Sequence, residues 1–444
     1  MKFIRSLYLI LVVPAFIYGA DAKFSQTIYD RHQEMTEYYQ TQEKKPDISI
    51  WDRKYLLGNW GGIRKDMAAR GITVAGTYVT DDVANPIGGE ARGFSYAGSI
   101  GVDLDFDFEK LCGKKGLDFY IAMVFRSGNS LSGKKIGNQF PVQQVYGGQN
   151  FRFDQIFFRQ RAFNDKLVID VGRLNAADDF LQSPLYYKYV SNAFDGNPIG
   201  VFFNNTFNAY PNATWGAIIK VNLPKFEGKF GVYNGNKNVS ANRWHGLNFH
   251  FSSTDGAQLT SELGYIHDDL PGSKGYPGHY RVGGYYFTKA KEHFLGGQTN
   301  FNYGYYFLVD QAVFRTGYDG LITPFVALLL APKNRNMFPF FLSSGIVFQG
   351  LIQSRPKDFF SLGCAYGKYS SDLSKREEQN KANNDPGEFG IIPQSFETVL
   401  EMSYMFQINQ WCEIQPDIQY VINPKGKGTV ANALVIGMQT KLVF

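Results

Sequence analysis

Apolar and polar residues alternate in many short segments of this chain, most clearly at its C-terminal end. Between Ala433 and Phe444, one side of an extended strand is apolar and the other carries polar residues such as Gln439 and Lys441. The apolar side consists of Leu434, Ile436, Met438, Leu442 and Phe444. A strand with one lipid-facing side and one wet side is typical of the wall of an outer-membrane β-barrel. The pattern therefore predicts that the chain folds in a membrane.

The same alternation recurs along most of the chain, in 16 segments. An even number of strands places both ends of the wall on the periplasmic side, as bacterial barrels require. A further apolar segment at 245–251 would make the number odd, so we assign it to a loop. The sequence predicts an all-β fold, a transmembrane antiparallel barrel of about 16 strands. The predicted strands are 72–80, 95–108, 117–127, 154–163, 166–174, 214–223, 227–234, 258–267, 279–289, 300–316, 320–331, 338–350, 358–369, 395–408, 412–422 and 433–444.

The first residues are typical of an export signal. Residues 1–22 have a basic start, an apolar stretch and small residues at the end, which predicts cleavage after Ala22. The apolar stretch is too short for a membrane anchor. We interpret residues 23–56 as a periplasmic segment, a mobile tail rather than an inner plug, and residues 57–444 as one barrel domain. The predicted location is the bacterial outer membrane.

Composition favours a barrel over a helical membrane protein. Aromatic residues make up 16% of the chain and the mean hydropathy is only -0.25, because alternation mixes apolar with polar residues. The net charge is +5 without a basic run interleaved with aromatics, so no nucleic-acid partner is expected. Cys112, Cys364 and Cys412 lack the close spacing of a zinc site, and we expect no metal and no cofactor.

Three long links are expected outside the cell or inside the lumen, at 128–153, 175–213 and 370–394. The 370–394 link is charged and rich in Asn and Lys, which favours a solvated external loop. The 175–213 link carries many aromatic residues, which suits a loop folded into the lumen that narrows the pore. An extracellular cap without contact to solute is the alternative for this link.

Charged and polar residues on the predicted lumen faces and in the 175–213 link are candidates for lining the pore. A lumen of mixed sign favours neutral polar solutes such as sugars. These charged groups have two possible roles. They either offer bidentate hydrogen bonds to sugar hydroxyls, or they pair with each other and hold the link against the wall. If Arg159 and Arg161 line the narrow zone, replacing both by Ala should change conductance or sugar block. The candidates are Arg159, Arg161, Arg173, Asp178, Asp179, Asp195, Asn197, Asp310, Glu397, Glu401 and Asp417.

Several short blocks resemble the carbohydrate-selective porin family, the OprB-type outer-membrane channels, and they follow one another in family order. They include 57–64 (LGNWGGIR), 171–175 (VGRLN), 231–235 (GVYNG) and 415–424 (QPDIQYVINP). The resemblance implies a sixteen-stranded barrel and passive diffusion of sugars and related polyols. The chain departs from the family pattern at Asn59, where Asp is usual, and in its middle from Gly235 to Gln298.

Other functions are weighed against this one. An enzyme is not expected, because the six histidines have no clear Ser or acid partner and no phosphate loop or His-Glu metal motif is present. A general or weakly ion-selective porin without a sugar site is the nearest alternative, and an adhesin or receptor barrel is another. The expected partners are small carbohydrates and outer-membrane lipid, and a homo-oligomer is left open.

Overall fold

The computed structural model describes residues 35, 49–145, 150–194, 196–205, 207–235, 244–269, 275–316 and 320–444. The predicted signal at 1–22, most of the predicted periplasmic segment and the candidate Asp195 lie outside the described residues.

The wall is a closed antiparallel barrel of 16 strands. Each wall strand pairs with the next one along the chain, and the first pairs with the last. The strands are β1 (Ile72–Ile87), β2 (Gly93–Asp107), β3 (Leu117–Gly128), β4 (Asn150–Ala162), β5 (Leu167–Leu174), β6 (Thr214–Asn222), β7 (Phe226–Asn234), β8 (Ala257–His267), β9 (Gly278–Phe287), β10 (Lys291–Glu292), β11 (Gln298–Thr299), β12 (Asn302–Gln311), β13 (Phe314–Thr316), β14 (Gly320–Leu330), β15 (Phe340–Gln349), β16 (Phe359–Lys368), β17 (Phe396–Asn409), β18 (Cys412–Ile422) and β19 (Ala433–Val443). Strands β10 and β11 form a separate hairpin, and β12 and β13 share one position in the wall because both pair with β14.

All the predicted strands lie in this wall, and the predicted fold class is confirmed. The segment 245–251 is not a strand, as expected. The largest difference in bounds is in β1, which continues to Ile87 instead of ending near residue 80. Its second half carries polar residues that face the lumen. Asp81, for example, accepts a hydrogen bond from the Val145 backbone N–H at 2.7 Å.

The two ends of the barrel differ in the length of their connections. At one end, β4 and β5 are joined by residues 163–166, and β17 and β18 by residues 410–411. Short connections of this kind lie on the periplasmic side in outer-membrane barrels. The links at 129–149, 175–213 and 369–395 therefore begin and end on the extracellular side.

Within residues 49–444, the described part of the chain contains the α-helices α1 (Ile63–Ala69), α2 (Phe108–Cys112), α3 (Gly200–Asn204) and α4 (Ser371–Asn383) beside the wall. In the part of the chain that the structure describes, no helix is long and apolar enough to cross a membrane. Helix α4 lies in the link expected to be a solvated loop, but its Leu373 and Glu377 are buried. Ser370 caps its first turn by accepting hydrogen bonds from the Asp372 and Leu373 N–H groups, which lets the segment form a helix.

Candidate functional site

The link between β5 and β6, residues 175–213, lies inside the barrel, and we call it the inner loop. Phe180, Tyr189 and Phe194 are fully buried against the wall. The Tyr189 hydroxyl donates to the Leu362 carbonyl of β16 at 2.8 Å. Gly363 of the same strand leaves room for the ring, since a Cβ there would lie 2.7 Å from Tyr189 Cε1. The prediction that this link folds into the lumen is confirmed.

Wall carboxylates hold the backbone of the inner loop. Glu262 of β8 accepts a hydrogen bond from the Leu181 N–H at 3.0 Å. Glu401 of β17 accepts from the N–H groups of Val190 at 2.7 Å and Ser191 at 3.0 Å. Buried carboxylates need such partners because leaving water without them is costly. The inner loop is therefore held to the wall at two places, on strand β8 and on strand β17.

A second inner segment, residues 129–145, is held in the same way. Glu397 of β17 accepts hydrogen bonds from the N–H groups of Gln139 at 2.8 Å and Phe140 at 2.7 Å. The two segments also touch, since the Asn192 N–H donates to the Pro141 carbonyl at 2.9 Å. The links at 129–145 and 175–213 thus fill the lumen together.

The predicted basic candidates of β4 are engaged in ion pairs. Arg159 makes a paired contact to Asp170 of β5, at 2.7 and 2.8 Å, and both side chains are buried. Lys220 of β6 contacts the same Asp170 at 3.0 Å and also pairs with Asp179 of the inner loop. Arg161, closer to the periplasmic end, contacts Asp118 of β3 at 2.8 Å. This network connects three wall strands to the inner loop.

The remaining candidates also contact the protein itself. Arg173 donates to backbone carbonyls of Asn248 and Ala213, and Asn197 donates to three carbonyls of its own loop. Asp310 lies 2.5 Å from His279 Nδ1 and 3.3 Å from Ser183 Oγ. Further contacts of the candidates are Asp178 with Gln155 and Asp417 with Gln419. Whether these residues line the constriction stays a prediction.

Solvent reaches the inner face of the wall mainly beside β1, β2 and β3, where inward side chains keep partial exposure. On β8, β9 and β12 the inward residues Glu262, Arg281 and Asp310 are buried. We call the first region the open face. Its partly exposed inward residues are Thr77, Val79, Gly101, Asp105, Asp107 and Arg126.

The inner loop presents an aromatic side chain to this open face. Tyr210 is 44% exposed, and its hydroxyl lies 2.9 Å from Ser99 Oγ on the inward side of β2. Tyr187 of the same loop is 43% exposed and its hydroxyl donates to Gln182. The aromatic content of this link was noted from the sequence, but neither tyrosine was singled out. Alternation marks Ser99 as inward, but no local signal tells that Tyr210 reaches it.

Helix α4 provides a test of pH dependence outside the wall. The buried Glu377 carboxylate accepts a hydrogen bond from the Gln394 N–H at 2.8 Å. Burial raises the pKa of Glu377 from its usual 4.5 to about 7. The contribution of this group to docking of α4 is therefore complete below about pH 4.5 and is lost as the pH rises through about 7.

We expect hydrogen exchange of the amides in residues 371–394, corrected for the intrinsic rate, to increase between pH 4.5 and 7. Glu377→Gln should remove most of this increase because the amide does not titrate. Glu378→Gln, which changes the exposed neighbour, is the matched control and should keep it. The same pH profile in both variants would contradict the assignment.

Comparisons with known proteins agree with the barrel fold. The family described as carbohydrate-selective porin, OprB family, matches residues 91–444. Porin B of Pseudomonas aeruginosa is 28% identical over 88% of this chain and 91% of its own length. A putative porin, QuiX, of Acinetobacter baylyi is 26% identical over 90% and 95%. The high-pH structure of Pseudomonas putida OprB superposes with a TM-score of 0.83 at 25% identity, covering 89% of this chain and all of that one.

Proposed function

Because this chain belongs to the OprB family of carbohydrate-selective porins, we propose that small sugars cross it along the open face of the lumen, beside β1, β2 and β3. It is an outer-membrane channel for passive diffusion of small carbohydrates. No energy source is needed, since the solute moves down its gradient. The cleaved signal predicted at residues 1–22 remains a prediction, which N-terminal sequencing of the mature protein would test.

The partial exposure of Tyr210 inside the barrel is the observation that carries this proposal. The inner loop buries most of its own aromatic residues, yet Tyr210 is 44% exposed beside a polar wall. Asp105 and Arg126 are partly exposed on the inward faces of β2 and β3, so the open face has groups of both charge signs. Such a lining offers hydrogen-bond donors and acceptors without strongly selecting one sign of ion. The aromatic ring adds a flat surface for the apolar side of a sugar ring.

We propose that the original candidates divide into two groups. Asp178 lies in the inner loop, is half-buried and accepts a hydrogen bond from Gln155 of β4 at 2.6 Å, so it borders the passage. Glu397 accepts a hydrogen bond from a backbone amide of the 129–145 segment, and Glu401 accepts one from a backbone amide of the inner loop. Arg159 pairs with Asp170 of the wall. This second group positions the inner segments and shapes the passage without needing to touch the solute.

The proposal is tested by single-channel conductance of the refolded protein in a planar bilayer. The current is titrated with glucose, with larger saccharides and with a neutral non-sugar of similar size. Saturable block by the sugars alone is expected for a lumen with a sugar-contacting surface. A current unaffected by any sugar would count against contact at the open face, as would a strong cation or anion preference in reversal potentials.

Tyr210→Ala is predicted to weaken sugar block several-fold and to raise the conductance modestly. The substitution removes both the ring surface and the hydroxyl contact to Ser99 Oγ. Tyr210→Phe keeps the ring and should retain most of the block. The half-block concentration of glucose, measured at fixed voltage, reports the difference.

Tyr280→Ala is the matched control for this change. Tyr280 is exposed on the outward face of β9, away from the lumen, so its loss should leave sugar block unchanged. Equal block in the wild type and Tyr210→Ala would place the sugar contact elsewhere in the lumen.

A further inference from the structure

The segment before β1 follows the periplasmic rim of the barrel, and we call residues 49–70 the rim segment. At its start, the Ile50 carbonyl accepts a hydrogen bond from Trp411 Nε1 at 2.8 Å, in the turn between β17 and β18. Further along, the Leu56 N–H donates to the Val443 carbonyl at the end of β19 at 2.9 Å. The rim segment therefore passes beneath neighbouring wall strands in turn.

Its last part is tied to the beginning of the wall. Arg64 of α1 donates to the Val74 carbonyl of β1 at 3.0 Å and to the Gly58 carbonyl at 3.1 Å. The Arg64 guanidinium also lies over the Trp60 ring, 4.4 Å from its centre. These contacts fix the segment from β18 through β19 to β1, so its orientation to the rim is defined.

The rim segment has one side toward the barrel interior. Tyr55 and Ala68 are buried in a small apolar cluster with the inward-facing Ala75, and Val443 packs against it. Ile63 lies about 140° around α1 from Ala68, since each residue of an α-helix turns the chain by about 100°. The side chain of Ile63 therefore points away from the interior.

In the part of the chain that the structure describes, the other side of the rim segment is apolar and uncovered. Trp51 is 67% exposed, Leu57 50% and Ile63 58%, and Ile50 is exposed as well. Trp51 stands 6.5 Å, ring centre to ring centre, from Trp411. Trp411 follows Ile408, an exposed outward residue at the end of β17. The uncovered apolar side is thus continuous with the lipid-facing belt of the wall.

The charge of the rim segment matches a membrane surface. Residues 49–70 contain five basic and two acidic residues, a net charge of +3. Tryptophan at the level of the headgroups, together with basic residues, is typical of segments that lie on a membrane. Basic residues near an anionic lipid surface each contribute about 1 kcal/mol to its attraction.

We propose that the rim segment lies on the inner leaflet of the outer membrane, with its exposed apolar side chains among the lipids and its basic residues, apart from the buried Arg64, at the phosphate headgroups. The occupant of this surface is the phospholipid layer. Lipid contact extends the belt of the barrel on the side of β18, β19 and β1.

The test is spin labelling of the full chain in vesicles of phosphatidylcholine and phosphatidylglycerol. Cys112, Cys364 and Cys412 are replaced by Ser, and a label is attached to Leu57→Cys. Two reference labels are Leu263→Cys, on the outward face of β8, and Lys381→Cys, on the exposed side of α4. Collision with oxygen, which concentrates in lipid, is compared with collision with a water-soluble nickel complex.

The measured quantity is the ratio of the collision rate with oxygen to that with the nickel complex. We expect this ratio at position 57 to be close to that of the lipid reference at position 263. A ratio close to that of position 381 would overturn the proposal, because the segment would then face the aqueous periplasm. A second measurement needs no cysteine: lipids brominated near the headgroup should quench the fluorescence of the wild type more than that of Trp51→Phe. Equal fractional quenching of the two proteins would likewise overturn it.

Discussion

Replacing residues 182–205 of the inner loop by a short Gly-Ser linker is expected to raise the single-channel conductance several-fold and to weaken saturable sugar block, because the passage widens away from Tyr210. This part of the loop fills the lumen beside β8, β12 and β15 to β17, where Tyr189 and Phe194 are fully buried. The wall itself should persist, because each strand is paired on both sides and the barrel is closed. The conductance would then report the lumen without this part of the inner loop.

A matched replacement outside the lumen is the control. Residues 375–390, which include most of α4, are replaced by a linker of the same kind. That variant should conduct nearly as the wild type and keep its sugar block. Resistance to unfolding by sodium dodecyl sulfate without heating, seen as faster migration on a gel, verifies that both variants retain a folded barrel. An unchanged conductance on shortening the inner loop would show that the loop does not limit the passage.

Glu401→Leu is expected to release the middle of the inner loop and to produce a noisy, partly enlarged channel. The wild-type carboxylate accepts from the N–H groups of Val190 and Ser191. Without it these buried donors lose their partner, at a cost of about 1–3 kcal/mol for each unsatisfied group. Opening of the loop returns them to water. Current noise and the frequency of larger conductance steps are the measured quantities.

Two further variants test whether the effect depends on the carboxylate of Glu401. Glu401→Gln keeps one oxygen as an acceptor and should show a smaller effect. Glu413→Leu removes a carboxylate from the neighbouring strand β18, where it contacts Lys441 at 3.5 Å and is half-exposed. That control should leave the noise at the wild-type level. Equal noise in Glu401→Leu and Glu413→Leu would mean that the carboxylate does not anchor the loop.

The wall was predictable from the sequence because its pattern has a local cause. Lipid on one side and water or loop on the other impose a period of two on every strand, so each segment can be recognised without its neighbours. The bounds were least accurate in β1, where Asp81 and Asn85 interrupt an apolar sequence. Both are buried inside the barrel, where Asp81 accepts a hydrogen bond from the Val145 N–H and the Asn85 side-chain amide donates to the Ala91 carbonyl.

The arrangement inside the lumen was less predictable, because it depends on contacts between distant residues. Alternation identifies Glu397 as inward, but its partners Gln139 and Phe140 are more than 250 positions away in the sequence. The inner loop was recognised by its aromatic residues, whereas the exposure of Tyr210 depends on which part of the wall that loop leaves uncovered. Charge alone could not distinguish a residue that holds the loop from one that borders the passage.

The pairing of β1 with β19, the seam that closes the barrel, bears on the order in which the chain folds. Gln439 donates to Asp81 across this seam, joining positions 358 residues apart. Bringing such distant strands together carries a large loss of chain entropy, so registry across the seam is a late event in folding. The inner loop joins the extracellular ends of β5 and β6, so it can enter the lumen through the open mouth of the barrel. Its hydrogen bonds to Glu401 can form only after β17 has joined the wall, so the loop takes its final position late, together with the last strands.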